Sequence, residues 1–342
     1  MMQALLAALL FGASAPLAKL LLGQVEPIPL AAFLYLGAGF GLLGIRIFQR
    51  IHRRPSDREA QIGKPDVVWL AGAVLTGGVA APIALLFSLQ NTPAATASLL
   101  LNFEGVATTL IAALVFKESI SRRAWQAILL ITLASIFLSI NSGAGWGFSL
   151  GTLGIIAACF LWGMDNNFTR NISAKDPLMI VTIKGLGAGI FSFGLALVLG
   201  NQLPALRIIL EAMILGALSY GISIVLFIHA MRELGAARTS GLFSTAPLAG
   251  VVLSLLLFQE FPGWWFMIAL PFMVVGTFLL LSEAHEHRHL HEKIIHEHAH
   301  VHTDGHHQHD HEGGFAKKHS HVHQHDESAH THQHMPDLHH RH

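Results

Sequence analysis

The chain has 342 residues, of which 52% are apolar and only 12% charged, where a soluble domain carries about 25%. The formal net charge is zero and no basic stripe exceeds one short loop, which argues against both a soluble enzyme and a nucleic-acid partner. The single cysteine, Cys159, rules out a disulfide framework. Two compositions meet near Ser282. Residues 1–282 hold 16 Lys/Arg and 11 Asp/Glu; residues 283–342 hold 5 and 10, together with 22 of the 24 histidines. The second stretch is too poor in apolar residues to fold alone.

A bilayer core needs roughly 20 apolar residues in a helix. The hydropathy pattern predicts spans near 2–22, 28–48, 67–88, 94–116, 124–141, 149–169, 177–199, 207–230, 236–258 and 263–282. Turn or charge signals separate them, among them Gly23 to Pro27, the Arg-rich run Arg50 to Lys64, Asn91-Thr92-Pro93, Lys117 to Arg123 and Asn141 to Gly147. Residues 4–15 end in Ala-Ser-Ala like a signal peptide, but no basic residue precedes them and Pro16 would follow the cut, so a helix is expected.

Basic residues set the orientation. With the N-terminus inside, the inner loops hold 13 Lys/Arg, from Arg46 to Arg238, and the outer loops only Arg207. Both termini are therefore expected in the cytoplasm, in the inner (plasma) membrane of a prokaryote.

The two halves repeat each other in order. Phe11-Gly12 with Lys19 matches Trp162-Gly163 with Arg170; Gly37, Gly39 and Gly41 match Gly185, Gly187 and Gly189. Ala94, Ala95, Ser98, Phe116 and Glu118 match Ala236, Ala237, Ser240, Phe258 and Glu260. Five spans per half is an odd number, so the halves insert in opposite directions, as in secondary transporters with a site near midplane.

The pattern Phe11-Gly12-Ala13-Ser14 with Lys19, and the run Ala94 to Glu118, resemble an EamA domain. Leu161-Trp162-Gly163 and Leu234 to Glu260, with Pro247, resemble a second. The chain is thus similar, over about 1–282, to the drug/metabolite transporter superfamily. That resemblance implies an all-α integral membrane protein: ten transmembrane helices as two inverted five-helix EamA repeats, 1–141 and 148–282, around a central cavity. It implies no particular substrate. Where that family has Pro in the fourth span, this chain has Glu104-Gly105; the second half keeps Pro247, after Ala246. Histidine-rich tails like the one at 283–342 are also similar to those of nickel- and cobalt-resistance exporters.

An ionisable group inside a span usually faces the protein interior, because lipid exposure is costly. Glu104 sits about ten residues into its span, beside Asn102, where it is expected to bind a cation or exchange a proton. The bland alternative is a structural pair with Lys19 or Lys184. Asp165, Asn166 and Asn167 lie late in the sixth span. Neighbours on a helix are about 100° apart, so Asp165 and one amide, here assigned as Asn166, are expected at the site. Carboxylate and amide oxygens suit hard or borderline cations. Lys19 and His229 complete the candidate transport site. Glu118 and Glu260 are read as structural and the glycine sets as packing.

The tail offers His285, His287, His289, His291, His296, His298, His300, His302, His306, His307, His309 and His311, then ten more histidines to His342, mostly every second residue. Many imidazoles and few sulfurs suit Ni²⁺, Co²⁺ or Zn²⁺. No fixed four-ligand spacing occurs, so a disordered, cytoplasmic, multi-ion chelator is expected rather than one zinc site.

The expected function is export of divalent transition metals, nickel or cobalt first and zinc next, driven by the proton gradient, with no cofactor beyond the metal on the tail. No Gly-x-x-x-x-Gly-Lys loop suggests ATP. The alternative is export of amino acids or other small metabolites, with the tail buffering or sensing metal. The expected partners are the lipid bilayer and the metal ion or small-molecule substrate; a homodimer is one open outcome for assembly.

Overall fold

The computed structural model describes residues 1–52, 61–116, 120–141, 147–172, 175–234, 242–281, 285–291, 294–300, 319–325 and 328–334. Helices account for nearly all of the ordered backbone before the tail. They are α1 (Met2–Gly12), α2 (Ser14–Leu21), α3 (Pro27–His52), α4 (Asp66–Ala73), α5 (Ala81–Gln90), α6 (Ala94–Leu100), α7 (Phe103–Phe116) and α8 (Arg122–Ser139). The second half holds α9 (Leu150–Arg170), α10 (Pro177–Val198), α11 (Leu206–Gly216), α12 (Ser223–Leu234), α13 (Ala246–Phe258) and α14 (Trp264–Leu281). A short antiparallel pairing, β1 (Ile140–Asn141) with β2 (Gly147–Phe148), joins the halves.

Six helical stretches among the described residues are long and apolar enough to cross a bilayer: Met2–Leu21, Pro27–Phe48, Asp66–Gln90, Ala94–Val115, Pro177–Val198 and Leu206–Ala230. Two shorter apolar helices, Ala246–Phe258 and Trp264–Leu279, accompany them. Large apolar side chains face outward along these helices, among them Leu114 at 80% and Val198 at 84% exposure. A soluble monomer does not leave so much contiguous apolar surface bare.

Lipid tails are as apolar as leucine, so helix contact must come from close backbone approach at small residues. The crossing of α3 and α10 shows it. A Cβ on Gly39 would lie 2.7 Å from the Leu186 amide nitrogen, one on Gly185 2.8 Å from that of Gly39, and one on Gly189 2.7 Å from that of Leu36. The packing role expected for these glycines is the one they have. At the end of α10 expected inside, Asp176 caps the helix by accepting from the Leu178 and Met179 amides at 3.0 and 3.2 Å. Its other oxygen approaches Arg46 at 3.6 Å, and Lys175 approaches Asp66 at 3.8 Å.

Several spans expected as plain helices are interrupted. Val74–Ala80 and Ala217–Ile222 are wound as π-helix between flanking α-turns. The fourth expected span breaks at Leu101–Asn102, between α6 and α7, and the first kinks at Ala13. Hydropathy averages over winding, so none of these breaks could show in an apolar-run count. A π-turn widens the helix by one residue and often marks a functional site.

The tail was expected to lack fixed structure. Its described backbone instead contains four extended segments in two antiparallel pairs, His285–His291 with Ser328–His334 and Ile294–His300 with His319–His325. The physical basis is the two-residue step of the histidines, which is the period of a strand. The tail side chains, and wholly the candidate ligands His302, His306, His307, His309 and His311, lie outside the described set. So do Glu118, Ala236, Ala237 and Ser240.

Candidate transport site

The break between α6 and α7 builds the first part of the site. Its amides bond three residues back, Glu104 to the Leu101 carbonyl at 3.1 Å and Gly105 to that of Asn102 at 3.2 Å. Asn102 pins the turn from its side chain: Nδ2 donates to the Leu99 carbonyl at 3.1 Å, and Oδ1 accepts from the Thr277 hydroxyl at 3.1 Å. The half-buried Glu104 therefore stands in the first turn of α7, where the helix dipole favours a carboxylate. Cys159, buried on α9, donates its thiol to the Leu100 carbonyl at 3.7 Å. It closes the break rather than merely filling space.

Helix α9 presents its three consecutive polar residues in three directions, as the 100° step requires. Asn166 Nδ2 donates to Glu104 Oε1 at 2.8 Å and lies 3.1 Å from Thr108 Oγ1. Asn167 Nδ2 donates to the carbonyls of Gly163 and Thr108 at 2.8 and 3.1 Å, fastening α9 to α7. Asp165 is 2% exposed. Its Oδ2 forms an ion pair with Lys184 of α10, and its Oδ1 accepts from Thr169 at 3.1 Å. The expected set Glu104, Asp165 and Asn166 is thus brought together. Lys184 pairs with Asp165 and acts with it on Glu104 electrostatically, so two carboxylates share one ammonium and one formal negative charge is in excess.

The carboxylate of Asp165 fits only because Gly77, in the first π-segment, has no side chain; a Cβ there would fall on the Asp165 carboxyl. The Gly77 carbonyl accepts from Tyr35 Oη at 2.8 Å and from Trp162 Nε1 at 3.0 Å. From Tyr35 an aromatic row leads away. Tyr35 stacks on Tyr220 with ring centres 5.7 Å apart, Tyr220 meets Phe11 edge-on at 5.9 Å, and Phe11 touches Phe243 at 5.3 Å.

Two other candidates sit elsewhere. Lys19 lies at the end of α2, donating to the Thr92 carbonyl, with Glu260 acting on it electrostatically. Half-buried His229, on α12, is not among the cluster's partners. The residues that sequence reasoning missed are Tyr35, Tyr220, Gly77 and Thr108. One signal was available: the chain has only two tyrosines, and both fall inside apolar spans. Among the described residues, no group of three His, Cys, Asp or Glu gathers as a metal cage.

Comparison with known proteins places this geometry. The EamA-like transporter family matches residues 1–140 and 149–282, which is both halves of the membrane region. An uncharacterized transporter of Methanothermobacter thermautotrophicus is 29% identical over 292 residues, covering 80% of this chain and 83% of its own. A crystal structure of a protein 19% identical in sequence superposes with a TM-score of 0.58, covering 81% of this chain and 94% of its own, which speaks to the fold alone.

Proposed function

The chain belongs to the EamA-like transporter family and is a multi-pass membrane transporter, and on that premise we propose that it exports a divalent transition-metal cation, Ni²⁺ or Co²⁺ first and Zn²⁺ next, in exchange for protons. The ten spans form two inverted five-helix repeats, with both termini in the cytoplasm of a prokaryotic cell. The observation that carries the reading is the cluster where α7 packs on α9 and Lys184 reaches in from α10. Glu104, Asn166 and Asp165 supply oxygens, and the excess negative charge attracts a cation. A proton and a cation compete for Glu104, so carrying one outward leaves the carboxylate free to carry the other back. The tail gathers the ion at the inner mouth through neutral imidazoles and raises its local concentration.

The aromatic row from Tyr35 to Phe243 favours a second reading, export of an amino acid or a similar small zwitterion. Its ammonium would meet Glu104, its carboxylate Lys184, and its side chain the rings. Uptake into inverted vesicles with a panel of Ni²⁺, Co²⁺, Zn²⁺ and amino acids separates the two. Saturable, proton-dependent metal uptake is expected. Saturable amino-acid uptake with no metal uptake overturns the metal reading.

A further inference from the structure

The internal repeat pairs positions across the pseudo-two-fold. With the offset of 142 that relates Ala94 to Ala236, Glu104 pairs with Ala246. With the offset of 151 that relates Gly12 to Gly163, Asp165 pairs with Ser14; with the offset of 148 that relates Gly37 to Gly185, Lys184 pairs with Leu36. The structure keeps this pairing in three dimensions. The two π-segments start 143 residues apart, at Val74 and Ala217, so Gly77 pairs with Tyr220. Asp165 and Trp162 lie against Gly77, and Phe11, the counterpart of Trp162, meets Tyr220 edge-on. The two contacts are one contact seen from either repeat. All the charge stands on one side of it, with Glu104, Asp165 and Lys184 facing Ala246, Ser14 and Leu36.

That asymmetry gives Lys184 a role that a helix clamp does not need. Helix α9 is fastened to α7 through Asn167 on the Thr108 carbonyl, and α10 to α3 through the glycine crossing, so each helix has a firm neighbour without Lys184. Lys184 is a cation held on a buried carboxylate, and its side chain is 19% exposed where that of Asp165 is 3% exposed, so it approaches Asp165 from the more open side. It reaches that carboxylate through four flexible methylenes, which let an ammonium leave and return without moving the helix. Resting on the reading of the cluster as a cation site, we infer that Lys184 is a resident counter-ion, which holds Asp165 in the empty transporter and is displaced when a positively charged cargo binds between Asp165 and Glu104. The returning ammonium then expels the cargo. Lys184 is a positioning residue in this scheme and never touches the cargo's path as a ligand.

The scheme separates affinity from turnover. Lys184→Met leaves Asp165 without its competitor, so the KM for Ni²⁺ in inverted vesicles falls by about tenfold, within the usual range of coupling between sites. The maximal rate per inserted molecule falls as well, because expulsion slows. Lys184→Arg retains the charge and keeps a KM near that of the wild type. Asp165→Asn/Lys184→Met removes both charges and raises the KM again. A clamp role would lower the amount of inserted protein and leave the KM where it was. An unchanged or raised KM in Lys184→Met, with inserted protein counted, overturns the inference while leaving metal export intact. Wild-type vesicles with no saturable Ni²⁺ uptake overturn the metal reading instead. The same variants are then run with the amino acid that the wild type carries: a fall in its KM in Lys184→Met supports the counter-ion, an unchanged KM removes it, and a raised KM removes it in favour of Lys184 as the ligand of the cargo carboxylate. Uptake of neither probe overturns both.

Discussion

Replacing Glu104 by Gln removes a charge and almost nothing else. Gln keeps the side-chain oxygen that accepts from Asn166 at 2.8 Å, and it keeps the place in the first turn of α7. What the fold loses is the charged component of one hydrogen bond and a dipole contact, together about 1 kcal/mol. Inserted protein should therefore stay close to the wild-type amount. Transport loses far more. A unit charge about 4 Å from a cation contributes about 4 kcal/mol at an effective dielectric of about 20. Even half of that is about a thirtyfold change in occupancy, and Gln cannot carry the returning proton at all. Metal uptake normalised to inserted protein should fall at least about thirtyfold, and its pH dependence should flatten. Wild-type uptake in this variant would refute the exchange reasoning and move the coupling to Asp165.

Three further outcomes follow from the same geometry. Gly77→Ala should lose transport and some folded protein, since its methyl falls on the Asp165 carboxyl, whereas Gly187→Ala, whose nearest neighbour would be Val74 at 3.6 Å, should fold and transport normally; uptake and yield of the pair decide it. Deleting residues 285–342 should leave a folded transporter, because the spanning helices close their own backbone hydrogen bonds, with a weaker apparent affinity for Ni²⁺ in vesicle uptake. The isolated tail should bind several Ni²⁺ ions by calorimetry near pH 7.5 and release them near pH 5, since neutral imidazole is the ligand and its ordinary pKa is about 6.5; equal binding at both values would assign the metal to carboxylates.

Much of the fold was legible because the bilayer imposes one rule, and the sequence obeys it in runs of apolar residues between charged loops. The repeat and the glycine crossings follow from the ordered matches between the halves, the family from the resemblance of motifs such as Phe11-Gly12-Ala13-Ser14, and Glu104, Asp165 and Asn166 stand out as polar groups in apolar surroundings. Their partners were not legible. The sequence offered Lys19 and Lys184 as equal candidates to pair with Glu104. Which lysine meets which carboxylate depends on helix rotation, and that is set by contacts such as Asn167 on Thr108 that carry no hydropathy signal. The structure gives Lys184 to Asp165 and Asn166 to Glu104, and sends Lys19 to the Thr92 carbonyl.

The helix breaks were hidden for a different reason, and their positions bear on how the transporter moves. The break at Leu101–Asn102 has its counterpart 143 residues on, at the turn of Ser244 and Thr245 before Ala246-Pro247. The π-segments are likewise paired, with Gly78 corresponding to Gly221. A Cβ on Gly78 would meet the Ala188 Cβ of α10 at 2.6 Å, and one on Gly221 would meet the Ala38 Cα of α3 at 3.6 Å. Each π-segment thus rests on the second long helix of the opposite repeat, and at this one pair of positions the approach is tight in the first and loose in the second. Proteins related by an inverted repeat alternate by exchanging the conformations of their two halves. In that case the approaches at Gly78 and Gly221 should trade places between the inward- and outward-facing states. Gly221→Ala, harmless to folding at 3.6 Å in this conformation, should then trap it, lowering the transport rate without lowering the amount of inserted protein. Normal uptake by that variant would mean that the contact at Gly221 never closes.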